Sequence, residues 1–272
     1  MTVDGHPVGA PVTAARRWHD QLQRWAIPEH ILRAAPADPH RCSVQRFSAL
    51  AADALRRRPT PTHDRAAEAL PAAGSVLDVG CGGGAGSLPL GPPAARLVGV
   101  DQRAGMLDAF RRAAAARGVG ADTVLGTWPD VAAATPVTDV VVSTHVLYNV
   151  PRIAPFLRAL TAHARRRVVL ELPTSHPLAW LTPYWRALHD LERPAGPTAD
   201  DALQVMADLG ARVRHQRWLR PNSLHGAPSS DQVLFVRERL GLAPDRDDEV
   251  RDLVDRIGVP AHRPVVTAWW DV

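Results

Sequence analysis

Hydrophobic and polar positions along the chain fall into two regimes. Up to about residue 72 the apolar positions recur at helical spacing. Trp18, Leu22 and Trp25 mark a first helix from Thr13 to about Ile27. "IPEHILRAA" predicts a second, with Pro28 in its first turn. Ser43 to Arg58 predicts a third, and "RPTPTHDRAAEALPAAG" a fourth, with Thr62 as N-cap and Gly74 after its end. Residues 1–12 read as a loose tail rich in Gly, Pro and Val.

From Ser75 the period changes. "SVLDVG", "ARLVGVD", "ADTVLGT", "TDVVVST" and "RRRVVLELP" are short apolar runs of strand length, separated by helical patterns. One such pattern is expected after the glycine-rich corner, another is "QRAGMLDAFRRAAAARG", and a third runs from near Pro151 to about His163. Strands alternating with helices predict an α/β fold with a largely parallel sheet covered on both faces. Beyond Pro173 the alternation loosens. A helical insertion at about 174–197, a helix capped by Thr198, an alternating strand "ARVRHQRWL", two helices at about 228–258 and a last strand "RPVVTAWWDV" are expected. Trp269 and Trp270 should face opposite sides of that last strand. The organisation predicted is an N-terminal helical cap over 1–72 and an α/β domain over 73–272 with two insertions.

Composition narrows the chemistry. The chain has 272 residues and a formal charge of +4, and all 32 of its basic residues are arginine. Lysine nucleophiles, Schiff bases and phosphate-loop lysines are therefore excluded. Cys42 and Cys81 form no CxxC pair, and no His/Cys spacing suits a metal, so none is assigned. No signal-peptide pattern and no run of membrane-spanning length appears, which points to a cytoplasmic protein with no membrane partner. The arginines are scattered, with short clusters at Arg56–Arg58 and Arg165–Arg167, and form no basic stripe.

The densest signal is "SVLDVGCGGGAGSLPL", Ser75 to Leu90. A strand feeding a glycine turn and a helix aims free amides and the helix's positive end at a ligand. Gly80, Cys81, Gly82 and Gly84 let a ligand approach the main chain, and Asp101 closes the next strand where a carboxylate meets ribose hydroxyls. Gly80-x-Gly82-x-x-Ala85 also satisfies a loose dinucleotide fingerprint. Asp78, two positions before Gly80, would repel a pyrophosphate and attract a cationic amino group, which leaves an NAD-dependent oxidoreductase the weakest reading.

At these residues the sequence resembles the class I S-adenosylmethionine-dependent methyltransferases. "VLDVGCGGG" resembles their first motif, "LVGVDQRAGML" the second, "DVVVSTHVLYNVP" the fourth-strand motif and "RRVVLELP" the strand after it. The resemblance implies a Rossmann-like sheet of seven strands whose last is antiparallel and lies beside the sixth. It implies S-adenosyl-L-methionine as cofactor and S-adenosyl-L-homocysteine as product. Gly80, Gly82 and Gly84 are then expected against the methionine part, Asp78 near its amino end, Asp101 on the ribose, and Gln102 and Met106 beside the adenine. An acidic residue common after the third strand is missing. Thr127 or a main-chain carbonyl is expected in its polar role, with Trp128 over the ring, and Thr144 completes the expected cofactor set. His63, before the first strand, is a candidate for the cofactor carboxylate, as is Arg65.

The acceptor is expected at the mouth of the fourth strand, "STHVLYNV". His145 is the candidate base or orienting group; Tyr148, the second catalytic candidate, and Asn149 are expected to shape the pocket or hydrogen-bond the substrate. The aromatics Trp18, Trp25, Trp180, Tyr184 and Trp185 are expected to pack, with one or two lining an acceptor pocket roofed by the cap and the first insertion. The function read here is methyl transfer to O, N or C of a small molecule, by a monomer or homodimer. RNA or protein is the alternative acceptor, disfavoured by the absence of an appended RNA-binding motif. A non-catalytic S-adenosylmethionine-binding protein is the alternative of another class, compatible with the lack of an evident acid–base dyad.

Overall fold

In a computed structural model, residues 13–226 and 229–272 are described. The tail at 1–12 expected from the sequence lies outside them. Four helices precede the sheet: α1 (Ala14–Gln23), α2 (Glu29–Ala34), α3 (Val44–Arg56) and α4 (Pro61–Ala67). Thr13 and Ser43 cap α1 and α3 by accepting the amides of Arg16 and Arg46. Two expected caps shift. Pro28 stands at the N-cap of α2 rather than inside its first turn. The N-cap of α4 is Thr60, with Pro61 at the first helical position, and Thr62 is buried inside the helix.

The seven strands are β1 (Ser75–Val79), β2 (Arg96–Asp101), β3 (Gly120–Leu125), β4 (Thr138–Thr144), β5 (Ala164–Pro173), β6 (Arg214–Pro221) and β7 (His262–Asp271). Their order is β3-β2-β1-β4-β5-β7-β6, with β7 antiparallel to both neighbours and the other ladders parallel. The α/β Rossmann-like sheet is therefore as expected, down to the antiparallel last strand beside the sixth.

Between strands lie α5 (Ala104–Ala115) and α6 (Ile153–Ala162). Three more helices, α7 (Thr182–His189), α9 (Ser230–Arg239) and α10 (Asp247–Ile257), occupy the two insertions. Thr198 caps α8 (Ala199–Asp208), exchanging hydrogen bonds with Asp201.

One expected helix is missing. After β1 the chain makes turns and a single 3-10 turn at Leu88–Leu90. Pro89, Pro92 and Pro93 each lack an amide, and the glycines before them favour no helix, so none propagates. The corner thus has no helix N-terminus behind it.

Alternation along the strands separates two cores. Leu77, Val79, Val141, Leu170, Ala268 and Trp270 pack with α1, α6 and α8 on one face. Val76, Val140, Val142, Val169 and Trp269 pack with α3, α4 and α5 on the other. The two tryptophans face opposite sides, as the strand period requires. A third cluster joins Ile27 and Ile31 of the α2 region to Tyr184 and Trp185 of α7 and to Val236, Val250 and Val254 of α9 and α10. The N-terminal helices are thus dealt to both faces and to the roof, and the two insertions pack on each other.

Candidate active site

Strand register places the candidate residues. Asp78 pairs with Val142, Thr144 with Glu171, and Glu171 with Thr267. Period two then puts Asp78, Thr144, Glu171 and Thr267 on one face, toward the carboxyl ends of the parallel strands. Helix α4 crosses this face and contributes Thr62 and His63.

At the glycine corner most of the geometry is spent internally. The amides of Gly80 and Cys81 donate to the Val100 carbonyl at 2.8 and 3.0 Å, that of Gly82 to Asp101 Oδ2 at 3.0 Å, and that of Gly84 to the Cys81 carbonyl at 2.7 Å. The amides of Gly83, Ala85 and Gly86 have no hydrogen-bond partner among the described residues. The glycines also serve close protein packing. A Cβ on Gly82 would stand 2.9 Å from the Phe47 ring, and one on Gly83 2.5 Å from the Phe47 carbonyl. A Cβ on Gly80 would strike Val146 at 2.4 Å. Open space for a ligand is the reason expected from the sequence; close seating of α3 and the β4 exit is a second one that the structure adds.

Asp78 is buried, accepts from Ser87 Oγ at 2.6 Å, and leaves Oδ1 without a partner. Burial, with a small addition from Asp101, outweighs the Ser87 bond and pushes its pKa up to about 7. Asp101 accepts from the Gly82 and Arg103 amides and, as a carboxylate with four lone-pair positions, retains acceptor capacity. Gln102 is exposed, Met106 is buried in the first turn of α5, and Thr144 backs onto Gly86.

Several expected cofactor contacts lie elsewhere. The Cys81 thiol points into the core against Gly99, and burial pushes its pKa up, so its side chain is no ligand group. Trp128 is buried, donates to the Phe156 carbonyl at 3.3 Å and meets His163 edge-on, a core position rather than a cover over an exposed ring. Thr127 beside it is exposed. His63 accepts the Thr60 amide at Nδ1 and donates from Nε2 to the Ala85 carbonyl, both at 3.1 Å. That pattern fixes the neutral ring, and burial lowers its pKa, so His63 ties α4 to the corner and presents no cation. Arg65 pairs with Glu68 and lies over Trp269.

The mouth of β4 holds what the sequence reading missed. His145 follows β4 with φ of +60°, a left-handed conformation that is strained for a residue bearing a Cβ. Its amide donates to the Glu171 carbonyl at 2.8 Å, and its Nε2 lies 2.8 Å from Glu171 Oε1. Glu171 is buried yet also receives Thr62 Oγ1 at 2.5 Å and Arg220. Burial raises its pKa, but the bonds and charges of His145, Arg220 and Thr62 outweigh it and hold the carboxyl at about 2. Glu171 is thus an ionised orienter, and His145 Nε2–H donates to it. Nδ1 takes no hydrogen bond among the described residues, on a side chain 36% exposed. The dyad's only sequence signal is an acid inside the apolar run "VVLELP".

Tyr148 is not part of this arrangement. Its hydroxyl donates to the Pro173 carbonyl at 2.9 Å, its ring packs on Trp18 and His176, and burial pushes its pKa up. Trp25 stacks on His176 at 3.7 Å and donates to the Gly196 carbonyl, so this aromatic column is structural. A cavity of about 560 Å³ is lined by Trp180, Pro183, Arg186, Ile257 and Val259 among others, and by neither residue of the dyad. Among the described residues no group of His, Cys, Asp or Glu could hold a metal ion, and no helix is long and apolar enough to cross a membrane.

The strand order defines a seven-stranded Rossmann-like α/β fold with the glycine corner and the dyad on one sheet face. Residues 77–169 match the family model described as a methyltransferase domain. The chain carries a methyltransferase domain over these residues. No curated protein matches it. Among solved structures, the YcgJ protein of Bacillus subtilis is similar at 16% identity and a TM-score of 0.54, over 81% of this chain and 98% of that one. The magnesium protoporphyrin IX methyltransferase of Synechocystis PCC 6803, crystallised with S-adenosylhomocysteine, is similar at 16% identity and a TM-score of 0.49, over 95% of this chain and all (100%) of that one.

Proposed function

We propose that the protein binds S-adenosylmethionine at the β1–β2 corner and methylates a small-molecule acceptor at an atom whose proton passes to His145. The observation that carries the reading is the pair of polar groups left open at the corner. Asp78 Oδ1 is a buried acceptor lacking a donor, which suits an ammonium group. The unpartnered amides of Gly83, Ala85 and Gly86 suit a carboxylate. Asp101 has lone pairs to spare for a ribose, with Gln102, Met106 and Thr127 around the β2 and β3 ends for the base. When bound, the cofactor supplies a methyl group already activated on a sulfonium.

The chain's residues then orient the acceptor, exclude water and take a proton. Glu171 fixes the His145 tautomer and stabilises the imidazolium that forms when Nδ1 accepts the acceptor's proton. The β4 exit and α4 place this dyad on the same sheet face as Asp78. The dyad favours catalysis over a purely binding role. Calorimetric titration with S-adenosylhomocysteine is the test. A folded sample that gives no heat ends the reading. Turnover of an acceptor panel should fall roughly a hundredfold or more in His145→Ala with cofactor affinity kept.

A further inference from the structure

Beyond the dyad, strand register brings two arginines face to face. Arg220 of β6 lies directly opposite Arg263 of β7, so both point to the sheet face that carries Glu171. Like charges so placed weaken a sheet unless something opposes them. Glu171 compensates Arg220. Arg263 has no carboxylate within ion-pair distance among the described residues, and its Nε is buried without a hydrogen-bond partner. Its guanidinium lies 5.9 Å from the Trp180 ring centroid.

Arg46 of α3 reaches the same corner. It makes no ion pair among the described residues, and its guanidinium sits 4.6 Å from the centroid of Phe235. Trp180 and Phe235 stack 6.1 Å apart at 11°. Arg239 also lies over Phe235, but its donors are committed to the Pro39 carbonyl and the Cys42 thiol. Burial first, then Arg46 and Arg220, lowers the Arg263 pKa to about 10. The acid that acts on Arg46, Asp231, does so without an ion pair. Two guanidinium groups thus stand on one aromatic step with no ion pair among the described residues. Arg220 beside them connects to His145 through two ion pairs that share Glu171. Packing on Trp180 and Phe235 calls for flat side chains and not for charge.

We infer that this corner recognises an anionic group on the acceptor, a carboxylate or phosphate held by Arg263 and Arg46, so that the acceptor's reacting atom lies toward His145. The inference rests on the methyl-transfer reading above. Planar forks suit paired oxygens, and the aromatic step suits a flat body behind them. Benzoate and phenyl phosphate are the probes, titrated calorimetrically at low ionic strength against the full chain. At least one should bind, and the stronger of the two distinguishes carboxylate from phosphate. Arg263→Gln and, from a separate element, Arg46→Gln should each weaken it by about tenfold or more. Arg112→Gln, at an exposed position of α5, should leave it unchanged. Two outcomes overturn the inference: no binding of either probe by the folded protein, or equal weakening by Arg112→Gln. S-adenosylhomocysteine titrated into the same samples separates the two claims. Its retention in Arg263→Gln localises the loss to the acceptor end. Probe binding without S-adenosylhomocysteine binding in the unaltered protein leaves the anion corner standing and removes the methyl-transfer reading.

Discussion

Replacing Asp78 by Asn tests the electrostatics of the glycine corner most directly. The carboxyl is fully buried, and its pKa rises from 3.8 to about 7. The folded state therefore holds a proton that the unfolded chain has released between those values. Stability associated with this group is full below the unfolded pKa and is lost as pH rises through the folded one. The whole interval corresponds to roughly 4 kcal/mol at pH above about 7, from about 1.36 kcal/mol per pKa unit. Asp78→Asn removes the titration but leaves an amide N–H₂ where Oδ1 had no partner, at a cost of about 1–3 kcal/mol at every pH. Urea unfolding across a pH series should show the variant gaining on the unaltered protein as pH rises from about 4 to about 7, then running parallel to it. Affinity for S-adenosylhomocysteine should move with the same group. Its ammonium favours the ionised carboxylate, so binding tightens as pH rises toward 7 and the variant loses that slope. A stability difference flat across the series would refute the reasoning, because Asp78 would then titrate as an ordinary exposed carboxylate.

Other expectations follow from the same geometry. Glu171→Gln should destabilise the fold by about 3–5 kcal/mol in denaturant titration, since Arg220 loses a buried counter-charge and His145 and Thr62 lose a charged acceptor. Because the Glu171 pKa is lowered to about 2, its contribution is present above the unfolded value of 4.5 and should fade as pH drops below that. Gly83→Ala should cost about 1–3 kcal/mol of stability, because a Cβ 2.5 Å from the Phe47 carbonyl must displace α3. Tyr148→Phe should cost about 1 kcal/mol by loss of the bond to Pro173 and leave turnover intact.

The sheet was legible because its central strands β1, β2, β4 and β5 are buried on both faces and punctuated by Gly, Pro and polar turns. "SVLDVG" and "ARLVGVD" declare themselves locally, and the swapped β7 followed from the resemblance. Less legible was how side chains far apart in sequence meet. Glu171 looked like one acid in an apolar strand, and only the register with β4 and β7 brings His145, Thr62 and Arg220 to it. His63 and Trp128 sat at plausible distances along the chain, but their hydrogen bonds spend them on main-chain carbonyls. The helix expected after the corner failed on three prolines that were visible beforehand. Their missing amides outweighed the family pattern.

The position of β7 has a consequence for how the molecule assembles. β6 touches the sheet through β7 alone, and β7 is made only after α9 and α10. A nascent chain therefore carries β6 as an unpaired ribbon until the final strand threads between it and β5, a late, long-range closure of the slow kind. Arg214, Arg217 and Arg220 on that ribbon supply repulsion between like chains, which guards against sticking to a neighbour during the wait.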